Sequence, residues 1–176
     1  LTMIFFDLET NGINDWSRLE DLENVWCLCA FDGSTSIMHR AVGNEQIKEL
    51  LKLFEQHNYI IGHNSVGFDY PVLQKLYGFS HPNVLDTLIM ARCIHPDIRD
   101  EDFKRKNFPK DLIGRHSLDS WGYRIGSHKG QFGATSDWSS YSDEMGEYCE
   151  QDVKVTRDLY RHLMSKEVSP QMIELE

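Results

Sequence analysis

The chain has 176 residues, of which 40% are hydrophobic and 11% aromatic, enough to build one domain with a buried core. It contains no run of about 20 apolar residues, as a membrane helix needs, and its start lacks the basic segment and cleavage site of a signal peptide. We therefore expect a cytoplasmic protein with no membrane partner. The net charge of −10 argues against a nucleic-acid partner unless bound metal ions supply positive charge where a phosphate lies.

The first part of the chain alternates apolar runs with one amphipathic segment. Residues 3–6 and 25–31 are nearly continuous apolar runs, which predict buried strands. An Asp-Gly turn predicts a hairpin that returns through residues 35–40. Apolar residues spaced at three and four positions predict a helix over residues 44–57, and residues 59–62 predict another buried strand.

The middle of the chain continues this alternation. Pro71 is expected to open a helix that Gly78 ends, because proline fits the first helical turn and glycine fits the cap. A short strand is predicted at residues 83–86 and a helix at residues 87–95. Residues 97–111 are mostly charged, which predicts an exposed loop.

The last third predicts a short helix over residues 115–126, irregular chain over residues 126–140 and a long helix over residues 142–164. Trp121 and Tyr123, both in the short helix, are expected in the core.

These elements together predict an α/β fold with a mixed β-sheet flanked by α-helices. No internal repeat or clear linker interrupts the chain, so we predict one domain over residues 1–176. Residues 166–176 restart an amphipathic pattern and are expected to begin a linker to a further module.

The four cysteines are expected to be free thiols. Cys27 and Cys29 lie two residues apart on a predicted strand, where the geometry does not allow them to bridge each other. No further cysteine pair completes a metal site, so we interpret both as small strand residues.

Two carboxylates follow the first predicted strand, in the sequence FFDLETNG. Asp7 and Glu9 point to the same face if the strand persists to residue 9. Like charges that close repel, and no basic residue lies nearby in sequence, so either water or a cation must neutralise them. On this pair alone, a solvated strand end and a metal site both remain open.

A third carboxylate, Asp69, follows a buried strand in the sequence GHNSVGFDYP. It either caps the helix that begins nearby or belongs to a site. His63 and Asn64 are loop hydrogen-bonding residues in the simplest interpretation.

A fourth carboxylate, Asp152, lies one helical turn after Tyr148 in the sequence EYCEQD, so both side chains share one helix face. Val155 and Leu159 continue an apolar stripe beside them. Asp152 therefore either reaches water at the edge of the helix or faces a cation.

Oxygen ligands from a strand, a loop and a late helix together suit Mg²⁺ or Mn²⁺ rather than zinc, without any cysteine or histidine ligand. Two such ions about 3.5–4 Å apart suit phosphodiester hydrolysis. The protonated hydroxyl of Tyr148 is placed to orient the attacking water.

The motifs DLET, HNSVGFDYP and YCEQD, in this order, resemble those of the DEDD superfamily of 3′-to-5′ exonucleases, which share an RNase H-like fold. Tyr148 extends this resemblance to the tyrosine-bearing DEDDy subgroup. The stretches LDTLIMARCIHPDIRD and SLDSWGYRIGSHKGQF extend the resemblance to the proofreading domain of family A DNA polymerases of T-seven-like phages.

The resemblance implies that Asp7, Glu9 and Asp152 are metal ligands, that Asp69 holds the second ion largely through water, and that Tyr148 orients the nucleophilic water. It also implies three positions near the 3′-terminal nucleotide, namely Leu8, Asn64 and Phe68.

The activity that the resemblance implies is two-metal removal of nucleoside 5′-monophosphates from the 3′ end of single-stranded or frayed DNA, as proofreading beside a linked or associated polymerase module. The cofactors would be two divalent cations, Mg²⁺ or Mn²⁺. A stand-alone exonuclease for RNA or short oligonucleotides would share the same five active-site residues, since the difference lies in how the pocket treats a 2′-hydroxyl. A binding module in which the acidic cluster only holds a structural ion is the alternative of another class.

Overall fold

Five strands form the sheet of this computed structural model, which describes residues 1–11, 19–130 and 137–166. The strands are β1 (Met3–Thr10), β2 (Val25–Asp32), β3 (Ile37–Val42), β4 (Tyr59–Gly62) and β5 (Val84–Asp86). Their order across the sheet is β3-β2-β1-β4-β5. The hairpin neighbours β1, β2 and β3 are antiparallel, whereas β4 and β5 run parallel to β1. The predicted mixed sheet is confirmed.

Six α-helices accompany the sheet within the residues that the structure describes. They are α1 (Asn44–Glu55), α2 (Asp69–Tyr77), α3 (Thr87–Ile94), α4 (Ile98–Asp102), α5 (Leu118–Ile125) and α6 (Asp143–Lys166). None of the helices in the described part of the chain has the length and apolar character needed to cross a membrane.

The side chains of β1 alternate between two cores. Ile4 and Phe6 pack on one face with apolar residues of α1 and α2. Phe5 packs on the other face with apolar residues of α6. Because successive strand residues point to opposite faces, Asp7 and Glu9 share the face of Phe5, which α6 covers. The sheet thereby directs two carboxylates toward the long C-terminal helix.

A third core joins α6 to α3 and α5. Trp121 is 1% exposed in it, as predicted, and packs near Leu159 of α6. Tyr123, however, is 46% exposed. The prediction that it lies in the core was wrong, because two residues along a helix turn a side chain to the other side.

The charged segment 97–111 is not simply a loop, as its composition predicted. It contains α4 and a 3-10 turn at Lys110–Leu112. Asp102 at the end of α4 is 1% exposed and pairs with Arg124 of α5 at 2.9 and 2.7 Å. This buried ion pair holds the charged segment 97–111 against α5. The charged composition of the segment does not predict such burial.

Three smaller predictions have mixed outcomes. α2 begins at Asp69, two residues before the predicted start at Pro71. Gly78 caps its C-terminal end as predicted, with a left-handed φ of 60°. All four cysteines are free thiols, as predicted. Residues 131–136 of the predicted irregular segment and residues 167–176 of the predicted linker lie outside the described residues.

Candidate active site

β1 sets Asp7 and Glu9 side by side beneath α6. The strand continues to Thr10, so the condition for their convergence is met. In the ladder with β2, Asp7 lies opposite Cys29 and Glu9 opposite Cys27. Glu9 is only 8% exposed, so the alternative of a solvated strand end does not describe it.

Asp69 is the first residue of α2 and is 5% exposed. Phe68 occupies the N-cap position, so the interpretation of Asp69 as the helix cap was wrong. Its Oδ2 is buried and has no hydrogen-bond partner in the described part of the chain. A buried carboxylate oxygen in this state favours a cation nearby.

Asp86, at the end of β5, fixes the loop that leads to Asp69. Its carboxylate accepts hydrogen bonds from the main-chain N–H groups of Asn64 at 2.8 Å, Val66 at 3.1 Å and Leu88 at 2.9 Å. Asn64 adopts a left-handed backbone with a φ of 56°, a conformation that asparagine tolerates better than most residues. The loop is therefore shaped by bonds to a neighbouring strand end, and it brings Asn64 to the wall of a cleft.

His63 is a hydrogen-bonding loop residue, as its simplest interpretation predicted. Its Nε2 donates to the main-chain carbonyl of His116 at 3.0 Å, and its Nδ1 lies 2.8 Å from Oγ1 of Thr87. Burial lowers the pKa of His63 to about 4, so the ring is neutral at physiological pH.

α6 contributes Tyr148 and Asp152 on one face, one turn apart. Oδ2 of Asp152 accepts from Nζ of Lys129 at 3.1 Å, whereas its buried Oδ1 has no hydrogen-bond partner among the described residues. The same ammonium lies 5.0 Å from the ring centroid of Tyr148, and Trp138 packs edge-to-face on that ring at 6.4 Å. Tyr148 is thereby held between a cation and an aromatic ring.

The four carboxylates repel one another in a poorly hydrated site. Burial and the charges of its neighbours raise the pKa of Glu9 to about 11 and lift those of Asp7 and Asp69 well above the usual range. Burial raises the pKa of Asp152 to about 6, although Lys129 lowers it. The cluster therefore holds protons unless a stronger positive charge replaces them.

Burial, together with the charge of Asp152, also raises the pKa of Tyr148 to about 12. Its phenol is consequently protonated at neutral pH and is available as a hydrogen-bond donor.

Divalent cations fit this donor set. The atoms available as ligands would be carboxylate oxygens, two of which are buried and without a hydrogen-bond partner in the described chain. Oxygen-rich sites of this kind suit Mg²⁺ or Mn²⁺.

A cleft of about 660 Å³ opens beside two of the four carboxylates. Asp7 and Asp152 lie in its wall together with Lys129, while Arg92 and Arg115 bring positive charge to the same cleft. A negatively charged ligand with several phosphates would meet arginines along the cleft and carboxylates at the metal site.

Two residues expected near a terminal nucleotide have side chains that pack in or against the core. Leu8 is 4% exposed and belongs to the core beneath α1 and α2. Phe68 is partly buried against that same core. The alternation of β1 explains Leu8, which must point away from its neighbours Asp7 and Glu9.

Several residues at the site were missed in the sequence. Lys129 lies in the quoted stretch SHKGQF, so the resemblance pointed to its neighbourhood but not to its pairing. Arg92, Arg115 and Asp86 carry no local pattern that marks them. Cys149 was expected to have no part in the site, yet its Sγ lies 3.6 Å from Oδ2 of Asp7.

A family model described as 3′-5′ exonuclease matches residues 1–167. The chain belongs to this family. The DNA-directed DNA polymerase of Escherichia phage T7 is 28% identical over 192 residues, covering 93% of this chain and 27% of that polymerase. The polymerase of Enterobacteria phage T3 is 30% identical over 132 residues, covering 60% of this chain and 19% of that protein. The predicted resemblance to the exonuclease domain of T7-like phage polymerases is confirmed.

The chain thus spans about a quarter or less of the length of these relatives. The exonuclease family also identifies the chain as a nuclease domain, since the match covers all three carboxylate-bearing motifs.

Three solved structures share the fold. Trypanosoma brucei RNase D in complex with RNA U12 has a TM-score of 0.67 at 15% identity, covering 96% of this chain and 57% of that one. Brucella melitensis NrnC with bound Mg²⁺ has a TM-score of 0.63 at 19% identity, covering 93% and 72%. The family B DNA polymerase of Pyrobaculum calidifontis has a TM-score of 0.64 at 18% identity, covering 93% and 24%. The predicted RNase H-like fold is therefore confirmed.

Proposed function

We propose that the chain is a two-metal-ion exonuclease that removes nucleoside 5′-monophosphates from the 3′ end of single-stranded or frayed DNA. The observation that carries this proposal is the cluster of four carboxylates, in which one buried oxygen of Asp69 and one of Asp152 have no hydrogen-bond partner among the described residues. Such a set is costly in a folded protein unless it serves cations.

The proposed ligands are Asp7, Glu9 and Asp152, with Asp69 acting through water. Two divalent cations bound there would supply positive charge to the phosphate and lower the pKa of a nearby water. Asp7 is proposed as a ligand that both ions would share, since its carboxylate interacts with that of Asp69 and also lines the cleft.

Tyr148 is proposed to hold the attacking water by a hydrogen bond. Its contacts with Lys129 and Trp138 fix the ring, and its raised pKa keeps the hydroxyl protonated. Lys129 is proposed to keep Asp152 ionised and correctly oriented, because its ammonium lies 3.1 Å from that carboxylate. Both residues are proposed to act by positioning other groups. A side chain must lie within hydrogen-bonding distance of its target before its pKa can matter for catalysis.

Arg92 and Arg115 are proposed to bind backbone phosphates of the strand that enters the cleft. Their charge offsets the repulsion that a chain of net charge −10 exerts on DNA. Because few basic residues line the described cleft, we expect weak binding with a modest dependence on salt, since the salt slope scales with the number of phosphates contacted.

DNA is the favoured substrate because the sequence relatives are phage DNA polymerases. RNA or a short oligonucleotide is the second candidate, because RNase D solved with RNA U12 shares the fold. Matched 5′-labelled DNA and RNA strands, incubated separately with the protein and Mg²⁺, test this choice. Faster shortening of DNA supports the proposal, and preferential shortening of RNA supports the second candidate.

The proposal extends to proofreading beside a polymerase module that is covalently linked or associated. It is supported by the chain spanning 27% of the phage T7 polymerase that it matches. A primer with a mismatched 3′ end should be shortened faster than a matched one, because fraying presents the single strand that the cleft accepts. Equal rates on both primers would contradict this role.

A structural ion without catalysis is the competing explanation of the acidic cluster. Titration with Mg²⁺ or Mn²⁺, followed by both thermal unfolding and nuclease assay, separates the two. Stabilisation together with nuclease activity supports the enzyme, and stabilisation without activity supports a structural ion.

A further inference from the structure

Three buried thiols lie directly behind the proposed metal ligands. Cys27 and Cys29 on β2 and Cys149 on α6 are each fully buried, and their Sγ atoms all lie within 4.8 Å of one another. The two strand cysteines face the sheet positions of Glu9 and Asp7. In the sequence, Cys27 and Cys29 form only a pair, whereas the fold brings Cys149 beside them as a third thiol.

The thiol cluster adjoins Asp7 directly. Sγ of Cys149 lies 3.3 Å from the main-chain oxygen of Asp7 and 3.6 Å from its Oδ2. One oxygen of Asp7, one of Glu9 and this sulfur also lie within 4.8 Å of one another. Cys149 thus belongs to both groups, so a carboxylate oxygen of Asp7 lies beside one of the three sulfurs.

We propose that Cys27, Cys29 and Cys149, together with Asp7, form a binding site for one thiophilic divalent cation such as Cd²⁺ or Zn²⁺. Three sulfurs and one oxygen match the tetrahedral donor sets of such ions. Metal–sulfur bonds of about 2.3 Å place sulfurs roughly 3.8 Å apart, so the thiols need to close by no more than about 1 Å. The coordinating thiols give up their protons on binding.

The location of this site gives it a consequence for the nuclease. Asp7 lines the cleft and its Oδ2 lies 3.6 Å from Sγ of Cys149, so it stands between the cleft and the thiol cluster. A soft ion held by three sulfurs draws Oδ2 of Asp7 away from the oxygen-ligand site that Mg²⁺ prefers. Occupation of the thiol site therefore inhibits the enzyme, and this step alone rests on the proposed function.

The alternative role of the cluster is packing only, since buried cysteines behave as small apolar residues. Packing by itself requires neither a sulfur next to a carboxylate nor an affinity for soft cations. Metal binding at the three thiols distinguishes these roles.

The first test uses the reduced, metal-free chain carrying Cys93→Ala, which removes the exposed fourth cysteine. Titration with CdCl₂ is followed by the ultraviolet charge-transfer absorption of cadmium thiolates, which carboxylate-bound cadmium lacks. We expect a band that saturates at one Cd²⁺ per chain and is lost when Cys27→Ala and Cys29→Ala are added. Absence of the band in the Cys93→Ala protein overturns the proposal.

The single variant Cys29→Ala provides a second test if the multiple variant does not fold. With two sulfurs left, it should bind Cd²⁺ more weakly and give a smaller band. An unchanged band in folded Cys29→Ala protein also overturns the proposal.

The second arm measures shortening of a 5′-labelled DNA strand in excess Mg²⁺. One equivalent of Cd²⁺ should slow it by about 10- to 100-fold, as loss of a ligand's correct placement does in other metal sites. The variant lacking Cys27 and Cys29 should retain Mg²⁺-dependent activity and resist Cd²⁺. A cadmium band without inhibition overturns the inhibitory coupling, whereas a band in a chain without any Mg²⁺ activity contradicts the proposed function and leaves the thiol site standing.

Discussion

The ammonium of Lys129 lies 3.1 Å from Oδ2 of Asp152, while the other oxygen of that carboxylate is buried without a hydrogen-bond partner in the described chain. The ammonium of Lys129 thus neutralises one oxygen of Asp152 within a group of four carboxylates. Burial and mutual repulsion raise the pKa values of the group, so its protonation state, its metal occupancy and the stability of the fold are linked.

The first prediction concerns stability without metal. A carboxyl whose folded pKa is raised stabilises the fold below its unfolded pKa and loses that contribution as the pH rises through the folded value. For Asp152 this window ends near a pKa of about 6, and for Glu9 it extends toward about 11. In EDTA, the melting temperature should therefore fall as the pH rises from about 6 to about 9.

Divalent cations should reverse this loss, because they replace the protons of the cluster. Mg²⁺ or Mn²⁺ at 100 times the dissociation constant adds about 2.7 kcal/mol, or roughly 5–10 °C for a chain of this length. At a fixed metal concentration, the gain should be larger at about pH 9 than at about pH 6, because fewer protons compete with the metal, and it should shrink in Glu9→Gln. Scanning fluorimetry across pH measures it, and a melting temperature that rises with pH in EDTA contradicts the account.

The second prediction concerns Lys129. Replacing it with methionine removes the charge that lowers the pKa of Asp152, so the acid limb of the pH–rate profile should move to higher pH. The rate at neutral pH should fall by about 10- to 100-fold. Lys154→Met, at an exposed position of the same helix, is the matched control and should leave the profile unchanged.

An unshifted acid limb in folded Lys129→Met protein would show that Lys129 does not control Asp152. A rate loss without that shift would mean that the lysine acts elsewhere in the reaction.

The third prediction concerns the arginines of the cleft. Arg92→Ala and Arg115→Ala should each raise KM with little change in kcat, because a phosphate contact remote from the cut bond contributes binding alone. Each should also reduce the slope of log affinity against log salt by about 0.7 for a single strand. Lys104→Ala and Lys106→Ala, in an exposed segment outside the cleft lining, are the controls. Salt slopes that change in the controls rather than in the arginine variants would move the DNA path to that segment.

Local patterns in the sequence were sufficient for part of this site. The two-residue period of β1 places Asp7 beside Glu9, and the four-residue spacing on α6 places Tyr148 beside Asp152. Each pair lies within a single strand or helix, so it can be predicted from the sequence without knowing the tertiary structure.

The remaining features depend on contacts between distant segments. Lys129 reaches Asp152 from 23 positions earlier in the chain, and Cys149 reaches Asp7 across 142 positions. Similarly, Asp102 can be buried at the end of a charged helix because it forms an ion pair with Arg124. No periodicity marks such pairs, since each partner takes its place from tertiary packing.

The fourth prediction concerns the hydroxyl of Tyr148. Tyr148→Phe keeps the ring between Lys129 and Trp138 but removes the group proposed to orient water. We expect kcat to fall by about 100-fold or more, within the range of lost positioning and acid–base contacts, without loss of metal-induced stabilisation. Single-turnover assays paired with fluorimetry measure both quantities, and an unchanged kcat removes Tyr148 from the mechanism.

The most direct test is digestion of a 5′-labelled single DNA strand with Mg²⁺, with EDTA, with Asp7→Ala and with Asp7→Asn. Asp100→Asn, an exposed residue of α4, is the control for the amide substitution. The account predicts a ladder that shortens one nucleotide at a time from the 3′ end, releases nucleoside 5′-monophosphates, and disappears with EDTA and with both Asp7 variants but not with Asp100→Asn. Internal cuts without a ladder, or shortening that survives EDTA or the loss of Asp7, would contradict it.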